Sequence, residues 1–154
     1  VTFAGKPLMV DAENWMAHPG AANVMLNIFR HKKTPPNFII LSGDVHYSFV
    51  YQIKIRFKKH GPQILQVTAS GIKNNFPEKL LNCFDTLNRL LFSSASPLNL
   101  FTQRRRMSVR WRKPDTGCKS VLYNQSGIGQ LILDEDFEKT KTLVISQEKT
   151  TEFK

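Results

Sequence analysis

Long apolar runs are missing from this sequence. None approaches the roughly 18 residues that a transmembrane helix needs, so no helical membrane span is expected. Cysteine is scarce as well. Cys83 and Cys118 are too few and too far apart for a disulfide framework, although a single bridge between them stays open, as does the redox compartment. Cys83 falls in an apolar helical pattern and is expected to pack there as a small hydrophobe. No repeats and no linker-like segments occur. Neither an initiator Met nor a signal-peptide pattern stands at the start, so the chain is expected to be a fragment or a processed product, with its localisation unknown.

What is present is ordinary for a globular protein: 154 residues, 41% hydrophobic and 22% charged, enough for a single domain over residues 1–154 with a buried core. Acidic side chains are outnumbered, 12 against 22 Lys and Arg, for a formal charge of +10. Such a balance suits an anionic partner: a phosphate ester, a nucleic acid or an anionic surface. Much of the charge sits in residues 56–60 and 103–114. In the second cluster Arg104, Arg105, Arg106, Arg110 and Arg112 surround Trp111. One reading is a nucleic-acid strip with a stacking ring. The preferred reading is a solvated strand edge, guarded by basic side chains against strand pairing.

Residues 6–10 read as a short strand. Residues 20–31 carry Ala21, Met25, Ile28 and Phe29 on one helical face. Pro35 and Pro36 stop that helix, and Phe38, Ile39, Ile40 and Leu41 follow as a strand covered on both faces. Strand, helix, strand predicts a βαβ unit with parallel strands. Residues 48–58 alternate, with Phe49, Tyr51, Ile53, Ile55 and Phe57 facing one way and Gln52, Lys54, Arg56 and Lys58 the other; Val50 breaks the rule. That predicts a strand near a sheet edge with one wet face. A turn at residues 59–62 returns the chain along residues 63–70 as its partner. Residues 75–92 give the longest helical signal, with Asn75 as cap, Pro77 in the first turn, Glu78 behind it, and a stripe of Leu80, Phe84, Leu87 and Leu91 expected in the core. β-like runs near residues 107–112, 120–123, 129–133 and 142–146 close the chain.

Chemistry is best concentrated in "SGDVHYS", residues 42–48. Small residues at a strand's carboxyl end permit a sharp turn and close backbone approach to a ligand, and in open α/β sheets that edge is where ligands bind. Asp44 offers hard oxygen and neutral His46 an imidazole nitrogen, a pairing that suits iron, manganese, zinc or a mixed two-metal site. The alternative is an Asp that caps the next turn and a His packed with a satisfied hydrogen bond. Spacing does not choose between them.

Residues 11–74 resemble the carboxyl-terminal half of the catalytic domain of alkaline-phosphatase-D-type (PhoD-like) metallophosphatases, within the calcineurin-like metallophosphoesterase superfamily. "IILSGDVHYS" (residues 39–48) is similar to that family's final metal motif, in which Asp replaces the first His of the superfamily's Gly-His-x-His. "DAENWMAHPG" (residues 11–20) is similar to its Asp/Trp segment before a helix. "QVTASGIKNNFP" (residues 66–77) stands where such proteins carry a Thr-Ser-rich strand end, and "LYNQSGIGQLILDED" (residues 122–136) looks like their closing Asn–Gly strand.

The resemblance implies an α/β fold: part of a metallophosphoesterase β-sandwich flanked by helices, with a mixed sheet and carboxyl-terminal antiparallel strands. It also implies hydrolysis of a phosphomonoester or phosphodiester by a metal-activated water. Asp44 and His46 would be metal ligands and part of the catalytic centre, with iron and calcium as the family's metals and manganese or zinc as others. By softness His46 suits iron and Asp44 calcium. Asp11, with Glu13 as its rival for the acidic position, and His18 are further ligand candidates. Ser42 and Tyr47 would orient the ligands, and Trp15 would wall the pocket. Where the family carries Tyr-Pro and then Arg, this chain has His18-Pro19 and Ala22, without the Arg that would clamp phosphate. The family's earlier Asp-x-His, its Gly-Asp-x-x-Asp and its Gly-Asn-His-Glu/Asp are absent. One Asp-x-His pair cannot build two metal sites, so the chain is expected to be inactive without the missing amino-terminal half of the domain. The alternatives are a basic nucleic-acid-binding module and a non-catalytic structural remnant.

Overall fold

Alternation in one segment and continuous apolarity in two others produce a four-stranded mixed sheet, the centre of this α/β fold. The structure, a computed structural model, describes residues 2–3, 6–7, 19–43, 46–56, 60–71, 77–92, 107–117 and 120–154. β1 (Thr2–Phe3) and β2 (Lys6–Pro7) form a minimal antiparallel pair. Helix α1 (Pro19–Arg30) leads to β3 (Asn37–Ser42), β4 (Phe49–Ile55) and β5 (Gln63–Thr68). After α2 (Glu78–Phe92) and β6 (Met107–Arg112), the strands β7 (Ile128–Ile132), β8 (Lys141–Ile145) and β9 (Thr150–Phe153) make a separate antiparallel sheet in that order.

The order in the mixed sheet is β3-β5-β4-β6. β3 pairs parallel with β5, from Asn37 opposite Gln63 to Ser42 opposite Thr68. β4 pairs antiparallel with both β5 and β6. The expected parallel βαβ partnership between the first strand and β3 is not seen among the described residues: Lys6–Pro7 of β2 pair with β1, the parallel neighbour of β3 is β5, and residues 8–10 of the expected strand lie outside the described residues. The alternating strand lies near the edge, as expected, but not at it: β6 pairs with it and is the outer strand of the described sheet. The basic β6 is the strand that ends the sheet on that side, as the edge reading of this cluster requires.

Both faces of the mixed sheet carry buried side chains. On one, Leu26 and Phe29 of α1 meet Ile53, Ile55, Ile64 and Met107. Phe29 also stands edge-on to Phe38, with ring centroids 5.1 Å apart. On the other, Val50, Leu65 and Val67 share a cluster with Tyr123, Val144 and Phe153. Val50, the exception to the alternation, is thus the residue of β4 that meets the second sheet. β3 is less covered than its apolarity predicts: Phe38, Ile39 and Ile40 are half-buried and Leu41 is 70% exposed. Two glycines permit close approach around the second sheet. A Cβ at Gly127 would lie 2.6 Å from the Ile145 carbonyl oxygen, and one at Gly129 would lie 2.8 Å from the Ala69 Cβ.

The inward sides of the helices match the expected ones only in part: Phe29 is buried and Met25 packs on the core, whereas Ala21, Ile28 and Leu80 are exposed. In α1 the buried residues are Ala22, Leu26 and Phe29, while Ala21 and Ile28 are exposed. Seven of the nine residues from Ala21 to Phe29 are apolar, so periodicity alone does not choose among neighbouring faces. In α2, Leu81 and Asp85 are buried and Leu80 is exposed. The side chains of Phe84, Leu87 and Leu91 lie outside the description. Pro77, just before α2, accepts the first bonds of the helix at its carbonyl, from the Leu80 and Leu81 amides. Cys83 is exposed with a free thiol, contrary to the expected packing. Cys118, Asn75 and Arg104–Arg106 lie outside the described residues.

Candidate functional site

β3 delivers the candidate site because it ends where β5 ends. The two strands run parallel and in register, so Ser42 and Thr68 finish side by side. Their hydroxyls approach to 2.5 Å, and the Ala69 amide donates to the Ser42 carbonyl at 3.4 Å. β4 lies on the other side of β5 and runs the opposite way. The chain therefore leaves β3 at Ser42 on one side of β5 and re-enters the sheet at Ser48 on the other. Its two feet, two sheet spacings or about 10 Å apart, straddle the carboxyl end of β5.

The second foot is held as firmly as the first. Ser48 is fully buried; its amide donates to the Tyr123 carbonyl at 2.8 Å and its carbonyl accepts from the Tyr123 amide at 2.9 Å. The Ser48 hydroxyl accepts from the Ser70 amide at 2.9 Å. Thr68 and Ser70 are buried beside it. Tyr123 is fixed in turn, its phenol receiving a bond from Thr151 and donating to Gln125. The sequence marks residues 66–77 as a Thr-Ser-rich strand end through the resemblance, but assigns no individual role to Thr68, Ser70 or Ser48. Their signal was a hydroxyl on each strand end, which acquires meaning only once β5 is known to lie between β3 and β4.

His46 is exposed, two residues before the buried Ser48. Tyr47 is half-buried and packs with Phe49, centroids 5.9 Å apart, against a cluster of Leu81, Val121 and Leu122. Its ring therefore joins α2 to the sheet. Asp44, Asp11, Glu13, His18 and Trp15 lie outside the described residues. Gly43 has no left-handed φ, and a Cβ there would meet nothing within 4 Å. The backbone does not require a glycine at this position, and the space beside it is open.

Among the described residues no group of three His, Cys, Asp or Glu side chains comes together to hold a metal ion. His46 fits a metal in kind, as an accessible imidazole, but one described ligand does not fit in number.

The basic cluster divides by burial. Arg110 is exposed, Trp111 is half-buried against Leu81 and Val121, and Arg112 is buried. The Arg112 guanidinium donates to the carbonyls of Thr140 and Glu138, and also to the Gln52 amide oxygen when that group faces it, at 2.8 and 3.1 Å. Burial lowers its pKa below the ordinary arginine value, against the opposing pull of Glu138 and Glu152. Arg112 is a strut between the sheets and offers nothing to a nucleic acid. Comparison of the chain with protein-family models, with curated proteins and with solved structures returns no match.

Proposed function

We propose that this chain supplies the carboxyl-terminal part of a PhoD-like, metal-dependent phosphoesterase, its mixed sheet belonging to a metallophosphoesterase β-sandwich. The observation that supports the reading is the placing of "SGDVHYS". Its ends, Ser42 and Ser48, flank the carboxyl end of β5 inside a mixed sheet, the kind of edge at which α/β folds bind ligands. His46 stands there with an accessible imidazole and Asp44 is two residues away in sequence.

When bound, iron, calcium or a related ion would polarise a phosphate ester and activate a water. The residues of this chain that would hold it are Asp44 and His46, with Asp11 and His18 as further candidates. The remaining ligands would come from motifs outside these 154 residues. Net charge of +10 would draw the anionic ester toward the protein. A phosphate-ester substrate therefore suits the chain better than a nucleic acid, since Arg112 and Trp111 of the basic cluster are engaged internally.

The test is elemental analysis of the protein expressed with the reading frame that precedes this sequence, wild type beside His46→Ala. That frame should contain Asp-x-His and Gly-Asn-His segments. The wild type should carry bound metal and hydrolyse a chromogenic phosphodiester, and the variant should lose metal and activity together. Equal metal content in the two proteins would remove His46 as a ligand and overturn the proposal. Absence of metal and of hydrolysis in both would favour a non-catalytic remnant.

A further inference from the structure

The feet of the His46-bearing connection are bonded to one short stretch of chain. Thr68 meets Ser42 through paired hydroxyls at 2.5 Å, Ala69 donates to the Ser42 carbonyl at 3.4 Å, and Ser70 donates to the Ser48 hydroxyl at 2.9 Å. Thr68, Ser70 and Ser48 are each at most 3% exposed. Buried hydroxyls of this kind are costly to leave unpaired, so the geometry that pairs them is strongly preferred. Both ends of the connection are thus held by the same short stretch, with Ser48 two residues from His46.

We infer that Thr68 and Ser70 are positioning residues for His46. Thr68 acts through the Ser42 hydroxyl and the Ser70 backbone amide through the Ser48 hydroxyl, and together they fix the two ends of the connection that carries the imidazole. Neither residue touches a substrate in this scheme. Each transmits its effect through the foot it holds, as groups behind a ligand commonly do. The role of this positioning in ester hydrolysis rests on the function proposed above, whereas the positioning itself does not.

The experiment compares Thr68→Val, which keeps the shape and removes the hydroxyl, with Thr68→Ser, which keeps the hydroxyl. Ser42→Ala serves as the second variant should Thr68→Val fail to fold. Two readouts are taken on the intact chain by NMR: hydrogen exchange at the Ala69 amide and the ring-proton shifts of His46. Loss of this part-buried hydroxyl pair should raise Ala69 exchange up to about tenfold and move the His46 ring signals in Thr68→Val and Ser42→Ala, with Thr68→Ser close to wild type. A merely structural role would lower the melting temperature and leave the His46 signals in place; that result overturns the inference. A third readout applies to the protein with its upstream frame, where Thr68→Val should lower kcat for a chromogenic phosphodiester more than it changes KM. Inactive wild-type protein would count against the phosphoesterase reading, while the NMR arm would still decide the positioning of His46.

Discussion

Asp115 and Lys154 show what a single pair of residues contributes and where its influence ends. Their side chains meet at 2.6 Å on the surface. The bond to Lys154 holds the Asp115 carboxyl below its ordinary value, and the same bond to Asp115 raises the Lys154 ammonium. The signs follow directly. Asp115 contributes stability above its unfolded pKa and loses it as pH falls through the depressed folded value. Lys154 contributes below its unfolded pKa and loses it as pH rises through the raised one. The pair is therefore intact across the interval between the ordinary Asp and Lys values, about 4 to 10, and being exposed it is weak and salt-sensitive. Carbon-13 NMR titration should find Asp115 titrating below an ordinary Asp, and Asp115→Asn should return Lys154 toward an ordinary Lys. Two unshifted titrations would show that the contact is not populated in solution. Nothing in the sequence marks this pair, because 39 positions separate its members.

At the scale of elements, α1 separates what pattern can establish from what packing must choose. A helix between residues 20 and 31 was legible from apolar spacing and from the prolines that end it. The inward side was not, since the apolar set nearly encircles the helix. The structure buries Leu26 fully and leaves Ile28 46% exposed. Leu26→Ala should cost about 2–5 kcal/mol, and Ile28→Ala within about 0.5 kcal/mol, as read by urea denaturation. Similar costs for the two substitutions would mean that the helix presents another face. β4 teaches the same lesson for strands. Its alternation correctly marked Ile53 and Ile55 as buried and Lys54 as exposed, while the exception at Val50 is explained by neighbours far away in sequence that cover that side.

For the whole molecule the decisive residue is Arg112, which joins the two sheets. Its guanidinium reaches from β6 to the carbonyls of Glu138 and Thr140, just before β8, and also meets the Gln52 amide of β4. The connection is extended by the backbone: Lys113 and Lys154 exchange amide–carbonyl bonds at 2.6 and 2.8 Å, so the chain leaving β6 runs beside the end of β9. Arg112→Met keeps the apolar stem, strands the buried Thr140 carbonyl at a cost of about 1–3 kcal/mol, and loses the part-buried bond to Glu138. The expected loss is about 2–4 kcal/mol in urea unfolding, with hydrogen exchange at Leu65 and Val144 rising together. Faster exchange confined to Val144 would show that the second sheet opens by itself and that Arg112 does not couple the two.

Local chemistry was enough to establish an α/β chain, most of its strands and helices, and the segment of residues 42–48 as the place to look for chemistry. These depend on residues a few positions apart, whose periodicity and turn chemistry the sequence displays directly. Tertiary structure alone decided that β5 lies between β3 and β4, that β4 is internal, which sides of the helices are buried, and that an arginine in a basic run is a buried strut. Each of these depends on residues tens of positions apart, selected by packing and hydrogen-bond pairing across the folded chain. The clearest case is Ser42, Ser48, Thr68 and Ser70. They are ordinary residues in sequence, and three of their hydroxyls with the Ser70 amide become the two anchors of the His46 connection only because β5 ends between them.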